Sequence, residues 1–169
     1  MDKVSKPLPL AGAHNVRDLG GYPAEDGKTT KEKAFVRGDS LAGLTGEDRA
    51  YLYDYGVRLV IDLRSEKETE RSPDAIDREK MEYLNVPLLD QIQSTLLAGK
   101  MPDDMSEMYI ALVENSKKEL GTVFRRMAQA KGTVLYHCTA GKDRTGIVSM
   151  LLLKLAGVAD DVVVDDYSV

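Results

Sequence analysis

Cysteine and histidine are scarce in this chain, and positive charge falls short of negative. Its 169 residues include a single cysteine and two histidines. A lone cysteine excludes an intramolecular disulfide and any multi-cysteine metal site, and His14 and His137 are too far apart in sequence to suggest a zinc centre. Lysine and arginine number 23 against 28 acidic residues, a formal net charge of −5. That balance argues against a nucleic-acid binder, whose footprint is a basic face or stripe, so any anionic ligand must be held by local positive groups. No apolar run is long enough to span a bilayer, and residues 1–10 carry two lysines and two prolines but no apolar signal-peptide core. The expectation is a cytoplasmic protein, with export by an atypical route left open. Repeats, low-complexity tracts and Ser/Gly linkers are also missing. Residues 1–169 therefore read as one domain, with 43% hydrophobic residues to build its core.

What is present alternates between two periods. Residues 34–37, 58–63, 81–86 and 133–137 are short, β-branched or aromatic, and bounded by glycine, proline or charge, which predicts strands. Between them, Thr45 with Asp48 and Ser65 with Glu68 read as helix-capping pairs, the first helix closing at Gly56 and the second before Pro73. Met105, Met108, Tyr109 and Leu112 share one helical face, as do Leu120, Val123, Phe124 and Met127. Residues 146–155 are apolar on nearly all sides, which suits a helix buried in a large core. Strands interleaved with helices predict an α/β fold with a mainly parallel central sheet flanked by helices.

The chemistry concentrates between the last strand and the buried helix, in His137, Cys138, Thr139, Ala140, Gly141, Lys142, Asp143, Arg144, Thr145 and Gly146. Open α/β sheets place ligands at the carboxyl ends of their strands. A loop that enters a helix there aims unpaired N–H groups and the positive helix end at one point, an anion site before any side chain is counted. Gly141 lets the loop curve closely around a phosphate. Five residues separate Cys138 from Arg144. A loop of that length can set the sulfur beneath phosphorus and the guanidinium fork on its oxygens. The same N–H groups favour the thiolate, the nucleophilic form of cysteine. Thr145 can donate a hydrogen bond to that sulfur, and His137 is expected to orient the loop rather than act as a base. A free cysteine on its own is usually a small buried hydrophobe; here it is the joint pattern that points to a nucleophile.

This loop resembles the signature of cysteine-dependent tyrosine and dual-specificity phosphatases, and its Ala-Gly-Lys-Asp-Arg-Thr-Gly wording is similar to that of a bacterial atypical family among them. The run Asn15-Val16-Arg17-Asp18-Leu19-Gly20-Gly21-Tyr22 resembles that family's N-terminal motif, and Val60-Ile61-Asp62-Leu63-Arg64-Ser65 its Asp-Leu-Arg-Ser strand end. The resemblance implies a protein-tyrosine-phosphatase-like fold without metal or other cofactor. Cys138 is then the nucleophile, Arg144 the phosphate clamp, and residues 139–145 the substrate-binding loop, with Lys142 and Asp143 facing the substrate. Implied substrates are phosphotyrosine proteins, with phosphoserine, phosphothreonine and phosphoinositides as further candidates. Lys142 resembles a loop lysine of inositol-lipid phosphatases, whereas their second basic position is Thr139 here. Two other readings stand beside this one. One is an idle phosphate-binding module of the same fold; the other is a rhodanese-type sulfurtransferase, whose loop typically has a shorter Cys-to-Arg interval.

Three aspartates compete for the general acid. Asp62 closes a predicted strand, Asp90 follows a strand and Pro87 as in dual-specificity phosphatases, and Asp143 lies inside the loop. They rank in that order, and the long interval from Asp90 to Cys138 suggests a lid-like insertion over 91–104. Arg17, Asp18 and Arg37 either line the cleft or tie down the N-terminal segment through ion pairs. His14 reads as an ordinary surface or capping residue, and residues 65–71 as a solvated helix face. Residues 158–167 begin one more helix, with Val162, Val163 and Val164 able to pack inward. Relatives usually continue with further helices, so an open apolar face and self-association are also expected.

Overall fold

The computed structural model describes residues 5–88 and 105–169. Asp90 and the insertion expected over 91–104 lie outside the described residues. Five strands form one sheet, β1 (Arg17–Asp18), β2 (Phe35–Gly38), β3 (Val57–Asp62), β4 (Glu82–Asn85) and β5 (Thr133–His137), in the order β1-β2-β5-β3-β4. Only β1 runs antiparallel to its neighbour; every other pairing is parallel. The mainly parallel α/β sheet expected from the alternating pattern is the one that forms. β1 escapes a sequence reading because two residues show no period.

Helices α1 (Gly46–Tyr55), α2 (Glu66–Arg71), α3 (Met105–Asn115), α4 (Lys117–Gln129), α5 (Asp143–Leu155) and α6 (Asp160–Tyr167) complete the described fold. Both capping pairs close as reciprocal boxes. The Asp48 N–H donates to Thr45 Oγ1 at 3.1 Å while Asp48 Oδ2 accepts from the Thr45 N–H at 2.9 Å. Glu68 and Ser65 do the same at the start of α2. Asp48 also accepts from the N–H groups of Ala11 and Gly12, which pins the N-terminal segment to α1.

Alternation along the strands divides the core between the two sheet faces. Leu59, Ile61 and Leu63 on one side join Val134, Tyr136 and Cys138, covered by Leu120, Val123 and Met127 of α4, Val148 and Leu153 of α5, and Val162 of α6. Val36, Val60 and Leu135 face the other way, onto Leu52 of α1, Leu41, Leu44 and Met81. Each of these fully buried aliphatic side chains contributes about 1.5–3 kcal/mol relative to exposure. The division also fixes polar residues. Arg37 shares the parity of Phe35 and faces α5 and α6, whereas Asp62 shares that of Val60 and leaves the sheet on the face opposite Cys138.

The helix expected from Gly146 begins three residues earlier, at Asp143, so Arg144 and Thr145 lie in its first turn. It is not buried all round. Val148 and Leu153 are buried, but Met150 is 39% and Leu155 78% exposed, since a helix covering one sheet face buries only one stripe. Between α3, α5 and α6 runs an apolar groove of about 580 Å³, lined by Tyr109, Ile110, Ile147, Met150, Val163 and Val164. Val162 and Val163 pack inward as expected; Val164, on the next step of the helix, is exposed. Among the described residues no helix is long and apolar enough to cross a membrane.

Candidate active site

The loop after β5 is built by turning its carbonyls toward the scaffold. The carbonyl of His137 accepts from the Leu63 N–H at 2.9 Å and that of Thr139 from the Ser40 N–H at 3.0 Å. His137 Nδ1 lies 2.9 Å from the Cys138 carbonyl, which can only accept, so Nδ1 carries the proton. Arg37 Nη2 donates to the Gly141 carbonyl at 2.8 Å. In a trans peptide the N–H of the next residue points opposite to the carbonyl. The last three of these bonds turn the N–H groups of Thr139, Ala140 and Lys142 away from the groups that hold the carbonyls. From 139 to 142 the N–H groups donate to no acceptor among the described residues. Such a nest at a helix N-terminus binds anions.

Gly141 makes the close approach that the loop needs. Its φ is +70°, and a Cβ there would come within 2.8 Å of the Gly38 carbonyl oxygen and 2.9 Å of the Asp39 nitrogen. The close approach that requires glycine here is to the Gly38–Asp39 backbone.

Cys138 is buried, and Thr145 Oγ1 donates to its sulfur at 3.1 Å. Arg144 stands beside it. Burial opposes its charge, but hydrogen bonds to Glu68 and the neighbouring cysteine more than offset this and raise its pKa. Its Nη1 donates to Glu68 Oε2 at 2.7 Å and its Nη2 to Oε1 at 2.9 Å, and Thr139 Oγ1 donates to the same Oε1 at 2.9 Å. Glu68 thus closes the N-terminus of α2 and holds the loop arginine and threonine with one carboxylate. The run 65–71, read as a solvated face, supplies a residue of the site. The N3 position of the capping box is the signal, because it turns the side chain toward the helix start, where the strand ends gather.

Hydrogen bonds from Arg144, opposed by partial burial and assisted by the Ser65 N–H and Thr139, hold Glu68 well below the usual carboxylate range. A depressed folded-state pKa contributes stability above the ordinary glutamate range, and that stability is lost as pH falls toward the folded value. Glu68→Gln is expected to melt below wild type at neutral pH, with the gap closing as the medium is acidified. Thermal melts across pH measure this directly.

Asp62 does not take the place expected of an acid. It is fully buried and forms a two-pronged pair with Arg64, whose Nε and Nη2 donate at 2.9 and 2.8 Å, while the Tyr83 hydroxyl donates at 2.9 Å. Burial disfavours its charge, yet Arg64 and the nearby His137 hold its pKa low. It is a carboxylate tied to Arg64 on the sheet face opposite Cys138. Arg64 Nη2 also reaches Asp74 at 3.0 Å, and His137 Nε2 lies 2.6 Å from the other Asp74 oxygen. Asp62, Asp74 and His137 bring potential ligand atoms within 4.8 Å of one another, but the Arg64 guanidinium already supplies the cation among them. Asp74 carries no local sequence signal.

Asp143 opens α5 half-buried, its Oδ1 accepting from the hydroxyls of Tyr109 and, at 3.3 Å, Tyr167. Thr139, Ala140 and Lys142 are exposed at the mouth. Arg17 and Asp18 tie down the N-terminal segment, while Arg37 both pairs with Asp166 and reaches the loop at Gly141. All three are buried; Asp18 accepts from the Gly20 and Lys33 N–H groups at 2.7 Å each, and both arginines bind Asp166. His14 is exposed, as expected.

The model of the tyrosine phosphatase family matches residues 8–169. This chain belongs to the tyrosine phosphatase family. Its parallel sheet, loop and helix are the architecture that the sequence resemblance implied. A tyrosine-protein phosphatase of Nostoc commune is 41% identical over 140 residues, an alignment covering 80% of this chain and 48% of the relative. A triple specificity protein phosphatase, PtpB, of Mycobacterium tuberculosis is 28% identical over 190 residues, covering 94% of this chain and 67% of the relative. The chain thus spans about half to two thirds of the length of these relatives.

Proposed function

We propose that the chain hydrolyses phosphate monoesters, phosphotyrosine first among them, through a phosphocysteine intermediate. The observation that carries this is the Thr145 hydroxyl donating to Cys138 Sγ at 3.1 Å inside a loop of outward N–H groups. The N–H nest and Arg144 hold the phosphate oxygens. The Cys138 thiolate attacks phosphorus, the bond to the leaving oxygen breaks, and that oxygen takes a proton. Water then gives a proton to the carboxylate left on the acid and attacks phosphorus, the P–S bond breaks, and sulfur departs as a thiolate stabilised by Thr145.

Asp143 is the acid in this scheme. Full burial of Asp62 and its pairing with Arg64 weigh against it in this role. Both tyrosines use Oδ1 of Asp143, which leaves Oδ2 to carry the proton. Asp143→Asn is expected to slow alkyl phosphates at least about tenfold more than aryl phosphates, whose leaving groups need less protonation, and to flatten the basic limb of the pH–rate profile. Unchanged alkyl phosphate turnover would pass the role to Asp90.

Lys142, exposed beside the nest, suits substrates with additional phosphates, so phosphoinositides join phosphotyrosine, phosphoserine and phosphothreonine as candidates. Rates on phosphopeptides and phosphoinositides, with rapid-quench mass spectrometry for phosphoryl transfer to Cys138, test the proposal. Absence of both turnover and transfer would leave a phosphate-binding module.

A further inference from the structure

We propose that Asp166, at the far end of the chain from the N-terminal motif, is a positioning residue that sets the shape of the phosphate-binding loop through Arg37. This rests on the loop being a phosphate site. Asp166 lies in α6 and is 1% exposed. Its Oδ2 accepts from Arg37 Nη1, its Oδ1 from the Tyr22 hydroxyl at 2.8 Å and from Arg17 Nη2 at 3.4 Å, and its backbone carbonyl from Arg17 Nη2 at 2.7 Å. Two buried arginines thus share one buried carboxylate.

The arrangement matters for the loop because Arg37 has a second partner. While Nη1 is held by Asp166, Nη2 donates to the Gly141 carbonyl at 2.8 Å. That carbonyl belongs to the same peptide unit as the Lys142 N–H, so fixing one aims the other outward into the nest. Like the Cys138 carbonyl, which His137 holds with Asp74 behind it, the Gly141 carbonyl is held by a side chain that is itself held from outside the sheet. Without Asp166, Arg37 keeps no buried counter-charge among the described residues and its fork is free to turn. The Gly141–Lys142 peptide is then free to turn with it. Gly146 fits the same design. A Cβ there would meet the Tyr167 ring at 2.9 Å, so the glycine lets α6 approach closely enough to present Asp166.

The test is direct binding of inorganic phosphate by calorimetry, in a Cys138→Ser background, with and without Asp166→Asn. The expected result is a loss of about tenfold or more in phosphate affinity, the scale of one charge-assisted hydrogen bond. Leu52→Ala, a core truncation on the opposite sheet face, loses stability without reaching the loop and keeps its phosphate affinity. Arg37→Lys, whose single ammonium cannot fork between Asp166 and Gly141, is expected to repeat the loss and serves where Asp166→Asn does not fold. A folded Asp166→Asn or Arg37→Lys protein that binds phosphate as tightly as its parent overturns the proposal, as does an equal loss in Leu52→Ala. Phosphate binding that depends on Asp166 in a protein without turnover would sink the phosphatase reading and leave this one standing.

Discussion

Replacing Cys138 with serine is expected to lower turnover of every phosphate monoester by at least about a thousandfold while changing phosphate affinity by less than about threefold. The two readouts separate because they depend on different atoms. In the proposed site, affinity comes from the N–H groups of 139–142 and from Arg144, none of which the substitution touches. Turnover in the proposed mechanism depends on the sulfur as nucleophile, and a serine hydroxyl in the same place is far less acidic than a thiol. Thr145 keeps an oxygen to bond to, so the loop has no reason to rearrange. Kinetics on an aryl phosphate and calorimetry with inorganic phosphate measure the pair. Turnover near wild type would eliminate the phosphocysteine route, and loss of both readouts would mean that serine had disturbed the loop itself.

The second large effect is on stability. Arg64→Ala is expected to cost about 3–5 kcal/mol, the range for removing one partner of a buried ion pair. Arg64 is 1% exposed and bridges Asp62 and Asp74, which are themselves buried. Its removal leaves two buried carboxylates without their guanidinium, with His137 Nε2 at 3.8 Å from Asp62 and 2.6 Å from Asp74. For a domain of this size the melting temperature is expected to fall by roughly 10 °C. Calorimetry checks the value, and a drop of only a degree or two would show that water reaches this network. The double substitution Arg64→Leu with Asp62→Leu is expected to recover much of the loss, since a well-packed apolar pair is often no worse than a buried ionic one.

Those parts of the site that are legible in the amino-acid sequence are the ones whose logic is local. Cys138, Gly141, Arg144 and Thr145 lie within one loop and one helical turn, so their spacing alone implies a phosphate cradle. Both capping pairs are legible for the same reason. Asp62 shows where local reading stops. Its position at a strand end suits an acid, but the parity of β3 relative to β5 decides which face it joins, and parity between strands is a tertiary fact. Glu68 reads correctly as a cap, but its second partner, Arg144, lies 76 positions away. Asp166 is farther still, and an aspartate near the end of an exposed-looking helix gives no hint of a buried pair with Arg37. The Arg17-Asp18 motif hints at ion pairing without naming the partner.

The short helix α2 holds one more consequence. It has only six residues, Glu66–Arg71, none of them buried, and its first turn is closed by the carboxylate that also grips Arg144. Helices of this length have little cohesion of their own and fray well below the temperature at which a sheet comes apart. Warming should therefore release Glu68, and with it the arginine, while β3 and β5 are still intact. Heat would disarm such a molecule before unfolding it, and cooling would rearm it within the time a single helical turn takes to form.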